Sequence, residues 1–156
     1  MREMRRQDRK LTEEEAMQIL TAAEYGVLST VCEDGTPYAV PISFAVEEGC
    51  IYMHCTVDGG QKIDNLRRNP AACFTAVSET KLLPDKFGTL YLSAIARGKV
   101  EIITDPEEKM KGLMALLRKY SADFMESGIK YANASVNKVY ILRLPIETIT
   151  GKGRKK

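Results

Sequence analysis

Residues 35–70 hold the side chains best suited to chemistry, and together they favour a phosphorylated, planar cofactor. Two strand-like runs lead to His54, the only histidine of the chain, and Lys62 follows a turn at Gly59 and Gly60. A phosphate group binds well where the N–H groups of a helix start meet a cation. The alternative is an exposed lysine after a glycine turn, because a Gly-Gly-x-Lys segment is not specific by itself.

A proline inside the first of these strand-like runs indicates a free strand edge. Pro41 lies in the run Val40, Pro41, Ile42, Ser43 and has no N–H group to donate to a neighbouring strand. Backbone groups left unpaired at such an edge could hydrogen-bond the polar rim of a flat heterocycle. The alternative is an ordinary edge strand whose proline discourages aggregation.

The second run, residues 51–55, places the histidine on a defined face. Side chains alternate along a strand, so Tyr52 and His54 share one face, opposite Ile51, Met53 and Cys55. The ordinary imidazole pKa of about 6.5 suits proton delivery to a substrate. The alternative is a structural histidine that only makes hydrogen bonds.

Small residues interrupt a later strand at Ser93, Ala94 and Ile95. Short side chains let a ligand, another backbone or a second subunit approach closely. A sharp bend in a barrel strand would use the same residues.

The elements that must position these residues form a mainly β domain. Thr12 with Glu15 is a capping box, and helical spacing predicts a helix over 12–24 ended by Gly26. We predict further helices over 62–68, 105–120 and 122–131, and strands over 27–32, 37–46, 50–56, 72–77, 90–103 and 136–149, with a loop over 79–88. About six strands joined by short turns predict a closed or partly closed antiparallel barrel.

Composition points to one soluble, cytoplasmic domain. The chain has 156 residues and a net charge of +2, so no global charge favours nucleic acid. Basic residues gather in the end segments 1–10 and 151–156, which we expect to be solvated tails. Four cysteines form no zinc pattern, so we expect no metal, and we also expect neither a membrane span nor a secretory signal.

Seven segments of the chain resemble, in order, the pyridoxamine 5'-phosphate oxidase-like FMN-binding split barrels, and more narrowly the nitroimidazole-resistance (Nim) flavoproteins. They are MRRQDR (4–9), EYGVLST (24–30), DGTPYAVPISF (34–44), IYMHC (51–55), GGQKIDNLRRNP (59–70), FGTLYLSAIARGK (87–99) and IETITGK (146–152). The resemblance covers nearly the whole chain.

The resemblance implies a six-stranded Greek-key split barrel, a homodimer and one FMN in each cleft between subunits, with FAD as the other flavin that could bind. It places the flavin ring along Val40, Pro41, Ile42 and Ser43, near His54, Cys55 and Thr56. Lys62 and Asn65 would hold the phosphate end. Ser93, Ala94 and Ile95 would approach the flavin from the barrel wall or from the second subunit. Lys152 would close the cleft.

The resemblance also implies an oxidoreductase that reduces a small organic acceptor such as a 5-nitroimidazole, with His54 as catalytic residue. Two other functions stay open: a flavin- or haem-binding carrier or sensor without turnover, and a pyridoxamine 5'-phosphate oxidase-like enzyme. Vitamin B6 oxidation fits less well, because the chain has no tryptophan and Arg143-Leu144-Pro145 is only a fragment of the C-terminal signature of those enzymes.

Overall fold

A computed structural model describes residues 3–155 of the chain and contains ten strands and four α-helices in that range. Met1, Arg2 and Lys156, which belong to the expected basic tails, lie outside the described residues. In chain order the elements are β1 (Lys10–Leu11), α1 (Glu13–Ala22), β2 (Tyr25–Val31), β3 (Pro37–Ser43), β4 (Ala45–Glu47), β5 (Cys50–Thr56), α2 (Gln61–Arg68), β6 (Ala71–Leu83), β7 (Gly88–Lys99), β8 (Glu101–Ile103), α3 (Pro106–Tyr120), α4 (Met125–Ser135), β9 (Val139–Pro145) and β10 (Thr148–Arg154).

Two antiparallel sheets form the framework. The larger has six strands in the order β1-β10-β7-β6-β2-β3, and the smaller has four in the order β4-β5-β9-β8. Among the described residues, β1 and β3 lie at free edges, so the larger sheet does not close on itself. The expected mainly β fold, an antiparallel split barrel with flanking helices, is therefore confirmed.

The chain passes from one sheet to the other at Phe44, where the predicted strand 37–46 is wrong because it is two strands. β3 pairs with β2 in the larger sheet, whereas β4 pairs with β5 in the smaller one. The Phe44 side chain is fully buried and packs on Phe74 with ring centroids 4.6 Å apart. Burial of this ring turns the chain inward and separates the two sheets at this position.

Three other boundaries differ from the prediction. The expected loop 79–88 is largely an extension of β6 and β7, which pair from Ala71 with Lys99 out to Leu83 with Gly88. The strand predicted over 90–103 breaks at the buried Val100, and the one over 136–149 is replaced by β9 and β10. Pro145 ends β9, since it has no N–H group for a continuing ladder.

The core lies between the two sheets and is closed by α1. The capping box at Thr12 and Glu15 is present as predicted, but α1 ends at Ala22, and Gly26 belongs to β2. Ala16 and Leu20 of α1 are fully buried against the inward-facing side chains of the larger sheet, including Ala94. Within residues 3–155 no helix covers the outward face of that sheet, and the side chains of that face are half-buried or exposed.

The helix α3 covers the smaller sheet, and α4 packs against α3. Asp105 caps α3 through the N–H of Glu108, with Pro106 in the first turn, as the sequence predicts. The helix predicted over 122–131 starts with a 3₁₀ turn at Ala122–Phe124 and continues as α4. None of the helices in residues 3–155 has the length and apolar character needed to cross a bilayer.

Candidate functional site

A cleft opens where the two sheets separate. β5 pairs with β4 only over residues 50–52, so the segment 54–56 has no strand partner on that side. β3 pairs only with β2, so its other side is free as well. Because Phe44 carries the chain from β3 into β4, these two unpaired strand edges diverge from the same point. The N-terminus of α2 follows the open end of β5.

The free edge of β3 presents backbone groups that nothing in the described residues occupies. Cys32 and Thr36 form a hydrogen-bonded pair at the β2–β3 turn, with the Cys32 N–H 2.8 Å from the Thr36 carbonyl oxygen. Alternation along the register then places Ala39, Pro41 and Ser43 at non-hydrogen-bonded positions. Their N–H and C=O groups, except for the N–H that proline lacks, point away from β2. This ladder is suited to the rim of a flat heterocycle.

The side chains of β3 obey the same alternation. Val40 and Ile42 are half-buried and pack against the core, whereas Pro41 and Ser43 are exposed. Of the four predicted contacts on this strand, Pro41 and Ser43 therefore offer both side chain and backbone to a ligand. Val40 and Ile42 instead hold the strand against the core.

A glycine turn places Lys62 beside the cleft. Gly59 and Gly60 have φ angles of 61° and 65°, and a Cβ on Gly59 would overlap the Ile63 side chain. No side chain caps α2, so the N–H groups of Gln61 and Lys62 in its first turn have no acceptor among the described residues. The half-buried Lys62 ammonium donates to the Gly59 carbonyl oxygen at 3.1 Å. This turn combines free donors with a cation, as an anion site requires.

His54 lies at the other end of the cleft, beside Ser43. Both residues line a pocket of about 280 Å³ whose walls come from α3 and α4. The His54 residue is exposed, yet the surrounding protein desolvates the imidazole enough to lower its pKa below the ordinary 6.5. The imidazole is therefore mostly neutral at pH 7 and can both donate and accept a hydrogen bond.

The other predicted residues near His54 lie at different depths. Thr56 is exposed at the end of β5, whereas Cys55 faces the core and burial raises its thiol pKa. Asn65 is fully buried: its amide donates to Thr30 Oγ1 at 3.0 Å and accepts from the Gln61 amide at 2.8 Å. The Asn65 side chain thus anchors α2 to β2, beneath the turn that carries Lys62.

The residues predicted from β7 and β10 lie on the larger sheet, away from the cleft of their own chain. Ser93, Ile95 and Lys152 are half-buried on the outward face, and Ser93 Oγ donates to the Lys152 carbonyl oxygen at 3.1 Å. Ala94 faces the core and is fully buried. β7 and β3 are three strand spacings apart, or about 14 Å. One chain alone does not bring these residues to the β3 edge.

Two features of the cleft were not expected from the sequence. Ala39 belongs to the free ladder, and only the pairing of the β2–β3 turn reveals this. The Tyr120 hydroxyl accepts from the Phe44 N–H at 2.9 Å and lies 2.8 Å from the Phe44 carbonyl oxygen. A contact between residues 76 positions apart has no signal in a single sequence.

A larger groove of about 990 Å³ runs along the outer side of α2, between that helix and the β2–β3 turn. Its charges are mixed, since Arg67 and Arg68 face Glu33, Asp34 and Asp64, and Arg68 pairs with Glu33 at 3.0 Å. Gln61 at the start of α2 lines this groove too. The groove therefore adjoins the glycine turn without containing Lys62.

Comparison with known proteins identifies similar sequences and folds. The sequence profile of the family described as pyridoxamine 5'-phosphate oxidase matches residues 12–153. No curated protein sequence matches the chain.

Three solved structures illustrate the similarity. A candidate 5-nitroimidazole antibiotic resistance protein from Bacteroides thetaiotaomicron is 31% identical, with 92% of this chain and 86% of that chain covered and a TM-score of 0.79. A conserved hypothetical protein from Mycobacterium tuberculosis is 21% identical over 98% and 91% of the chains, with a TM-score of 0.80. An FAD-binding protein from Mesorhizobium loti is 23% identical over 94% and 98%, with a TM-score of 0.69.

Proposed function

The chain belongs to the pyridoxamine 5'-phosphate oxidase family, and we propose that it is a flavin-binding oxidoreductase that reduces a small organic acceptor. The observation that carries the proposal is the pair of free strand edges with a phosphate-suited turn at one end and His54 at the other. The β3 ladder fits the polar rim of an isoalloxazine ring. Gln61, Lys62 and the glycine turn fit its phosphate.

The chain's own residues would bind and orient, while flavin supplies the redox chemistry when it is bound. Ala39 and Ser43 offer backbone donors and acceptors, and Pro41 offers a carbonyl oxygen to the ring. His54, neutral at pH 7 because burial lowers its pKa, would hydrogen-bond the acceptor and deliver a proton to it when protonated. The walls from α3 and α4 would exclude water from this end of the cleft.

We propose FMN as the cofactor because its terminal phosphate matches one cation and two free N–H groups at the start of α2. FAD contains the same phosphoribityl-flavin portion. The groove beside Gln61 has room for an adenylate, and the neighbour from Mesorhizobium loti is an FAD-binding protein. Release of the bound chromophore and its chromatographic identification distinguish the two flavins.

A homodimer would complete the site. The outward face that carries Ser93, Ile95 and Lys152 also carries Pro41 and Ser43 at its free edge. A second copy seated on this uncovered face could bring its β7 and β10 residues to the β3 edge of the first. This arrangement supports the expected subunit-interface cleft.

The acceptor is proposed from the 31% identity to the candidate 5-nitroimidazole resistance protein. A 5-nitroimidazole would be reduced from the nitro compound towards the amine. Vitamin B6 oxidation is disfavoured, because the Arg143 guanidinium is already paired with Glu101 and Glu108. We place the protein in the cytoplasm, since Cys32, Cys50, Cys55 and Cys73 are all unpaired thiols.

The second candidate function is a flavin- or haem-binding carrier or sensor without turnover. Among the described residues that line the pocket beside Ser43, His54 is the only titratable side chain apart from two tyrosines, and this favours the second candidate. A single, mostly neutral imidazole gives the pocket little capacity for acid–base catalysis.

One anaerobic experiment separates the two candidates. The flavin-loaded protein is reduced and mixed with metronidazole in a stopped-flow instrument, beside free FMN at the same concentration. If the protein is a reductase, its bound flavin should be reoxidised clearly faster than free FMN. Reoxidation no faster than free FMN would reject the reductase and favour the carrier or sensor.

A further inference from the structure

The pocket that contains His54 has a composition that selects a ligand. It has a volume of about 280 Å³ and opens beside Ser43, where the cleft between the sheets begins. Its walls are mainly aliphatic and aromatic, and its lining side chains are those of Ser43, His54, Leu113, Leu116, Leu117, Tyr120, Ser121, Tyr131, Ala132, Ser135 and Val139.

Charged side chains do not face this pocket. Among the described residues that line it there is no Lys, Arg, Asp or Glu. Two ammonium groups of α3 are engaged outside the pocket lining. Lys119 donates to the Ala23 carbonyl oxygen at 2.7 Å and lies 3.8 Å from the centroid of the Phe44 ring. The buried Lys109 donates to the Val136 carbonyl oxygen at 3.1 Å, next to Ser135 of the pocket wall. A phosphate or carboxylate group that entered the pocket would lose water without gaining a counter-charge.

The size of the pocket sets a second limit. A dry cavity of about 150 Å³ accommodates benzene, and sites for drug-sized ligands begin near 300 Å³. A pocket of about 280 Å³ therefore holds one aromatic ring with substituents, or two fused rings. Hydroxyl groups of Ser43 and Ser135 and the His54 imidazole supply a few hydrogen-bonding positions within apolar walls.

The walls belong to one chain and are held by close helix packing. A Cβ on Gly128 of α4 would lie 2.7 Å from Leu117 Cδ2 of α3, so the two helices approach closely there. Towards the rim, Tyr131 is 75% exposed, and Ala132 is the only buried residue of α4. The pocket is thus enclosed at its base and open at its mouth.

We propose that this pocket binds uncharged aromatic compounds of one or two rings and excludes anionic ones of the same size. Its role as the acceptor site rests on the proposed function, because Ser43 and His54 join it to the flavin cleft. The substrate class is then a neutral ring compound, not a phosphorylated one.

Benzamide and benzoate, which share shape and size but differ in charge, test the proposal. Both are titrated at pH 7.5 into the full-length protein as purified, with binding followed by ligand-observed NMR. We expect saturable benzamide binding and at least about tenfold weaker benzoate binding. Equal binding of the two, or no saturable binding of benzamide, overturns the proposal.

Two substitutions on α4 locate the binding. Ser135→Phe places a ring in the pocket and should weaken benzamide binding about tenfold or more, whereas Ala134→Phe, one position away on an exposed site, should leave it within about twofold. Unchanged binding in folded Ser135→Phe overturns the proposal. If Ser135→Phe does not fold, Leu117→Ala enlarges the pocket. 2-Naphthamide should then gain at least about fivefold over benzamide, and an unchanged ratio overturns the proposal.

Flavin absorbance of the same samples reports on the proposed function separately. A colourless protein that takes up no flavin but still prefers benzamide to benzoate would reject the flavin role and retain the pocket. A yellow protein without that preference would do the reverse.

Discussion

At the scale of single residues, His54 is the group whose surroundings bear most directly on chemistry. It is exposed and lines the pocket formed with α3 and α4, and desolvation lowers its pKa below 6.5. The sequence predicted its face of β5 correctly from alternation with Tyr52. The apolar pocket could not be predicted, since its other walls come from residues 113–139, far along the chain.

The lowered pKa of His54 predicts a pH dependence with a definite sign. The protonated fraction is small at pH 7.5 and grows as the pH falls through a value below 6.5. If the imidazolium delivers the proton, anaerobic reduction of metronidazole should accelerate over that range. His54→Gln should lower the rate at pH 6 by roughly 10²-fold and flatten the profile.

A control keeps that result specific. Bound flavin in His54→Gln, measured by absorbance, should match the unsubstituted protein, because the phosphate end of the cleft is unchanged. A variant that retains the full rate and the same pH profile would remove His54 from the catalytic role.

At the scale of elements, the end of α3 holds the cleft open. Phe44 lies between β3 and β4, so its backbone groups have no strand partner, and the Tyr120 hydroxyl satisfies the N–H at 2.9 Å. The same hydroxyl lies within hydrogen-bonding distance of the carbonyl oxygens of Phe44 and Glu24 and donates to one at a time. Lys119 packs over the Phe44 ring, where burial lowers its pKa to about 8.

Tyr120→Phe should therefore destabilise the protein. The substitution removes one oxygen and leaves the buried Phe44 N–H without an acceptor, which costs about 1–3 kcal/mol of unfolding free energy. Urea denaturation measures the change. Tyr131→Phe on α4 is the matched control, since its side chain is 75% exposed, and should cost less than about 0.5 kcal/mol. Equal effects of the two substitutions would show that Tyr120 does not hold this junction.

The sequence predicted the helices, strands and turns well where interactions between residues close in the chain determine them. The capping box of α1, the Asp34-Gly35 turn and the limits of β5 all follow from neighbouring residues. The prediction failed at Phe44, because only the buried contact with Phe74 and the Tyr120 hydrogen bonds show that one strand is two. The sequence did not predict the β6–β7 extension, because Pro84 and Gly88 are typical of a loop. In the structure the two strands pair as far as Leu83 with Gly88.

At the scale of the whole molecule, the outward face of the larger sheet is the surface left without a cover. Thr150, Ile95, Thr75, Val27 and Pro41 form one row across five neighbouring strands, each paired with the next. The row leads from β10 to the free edge of β3. The expected basic end segment contributes to this sheet, since residues 151–154 complete β10.

Ile95→Arg tests whether a second copy covers that face. A buried, unpaired guanidinium at the middle of the row should prevent association, so the protein should elute as a monomer in light-scattering chromatography. If the partner completes the cleft, FMN affinity should fall by at least about tenfold. Ile129→Arg, the same change on an exposed position of α4, should alter neither measurement. Retention of a flavin-loaded dimer in Ile95→Arg would place the interface elsewhere.

Of the site as a whole, the sequence predicted the cleft-lining strand and the turn but not their assembly. Pro41, Ser43, His54 and Lys62 all lie along the cleft. Ser93, Ile95 and Lys152 lie on a face of the larger sheet away from the cleft, and only the proposed second copy would bring them to it. A single sequence does not reveal contacts between chains, so this half of the site stays a prediction.

The central claim is that a phosphorylated flavin is held between β3 and β5 with its phosphate at the start of α2. Its most direct test is a comparison of FMN with riboflavin, which lacks the phosphate, by fluorescence titration of the flavin-free protein. We expect FMN to bind roughly 10²-fold more tightly, and Lys62→Ala to reduce that preference by about tenfold. Lys99→Ala, which removes an exposed lysine outside the cleft, should leave the preference unchanged. Equal affinity for FMN and riboflavin, or a preference unaffected by Lys62→Ala, would contradict the account.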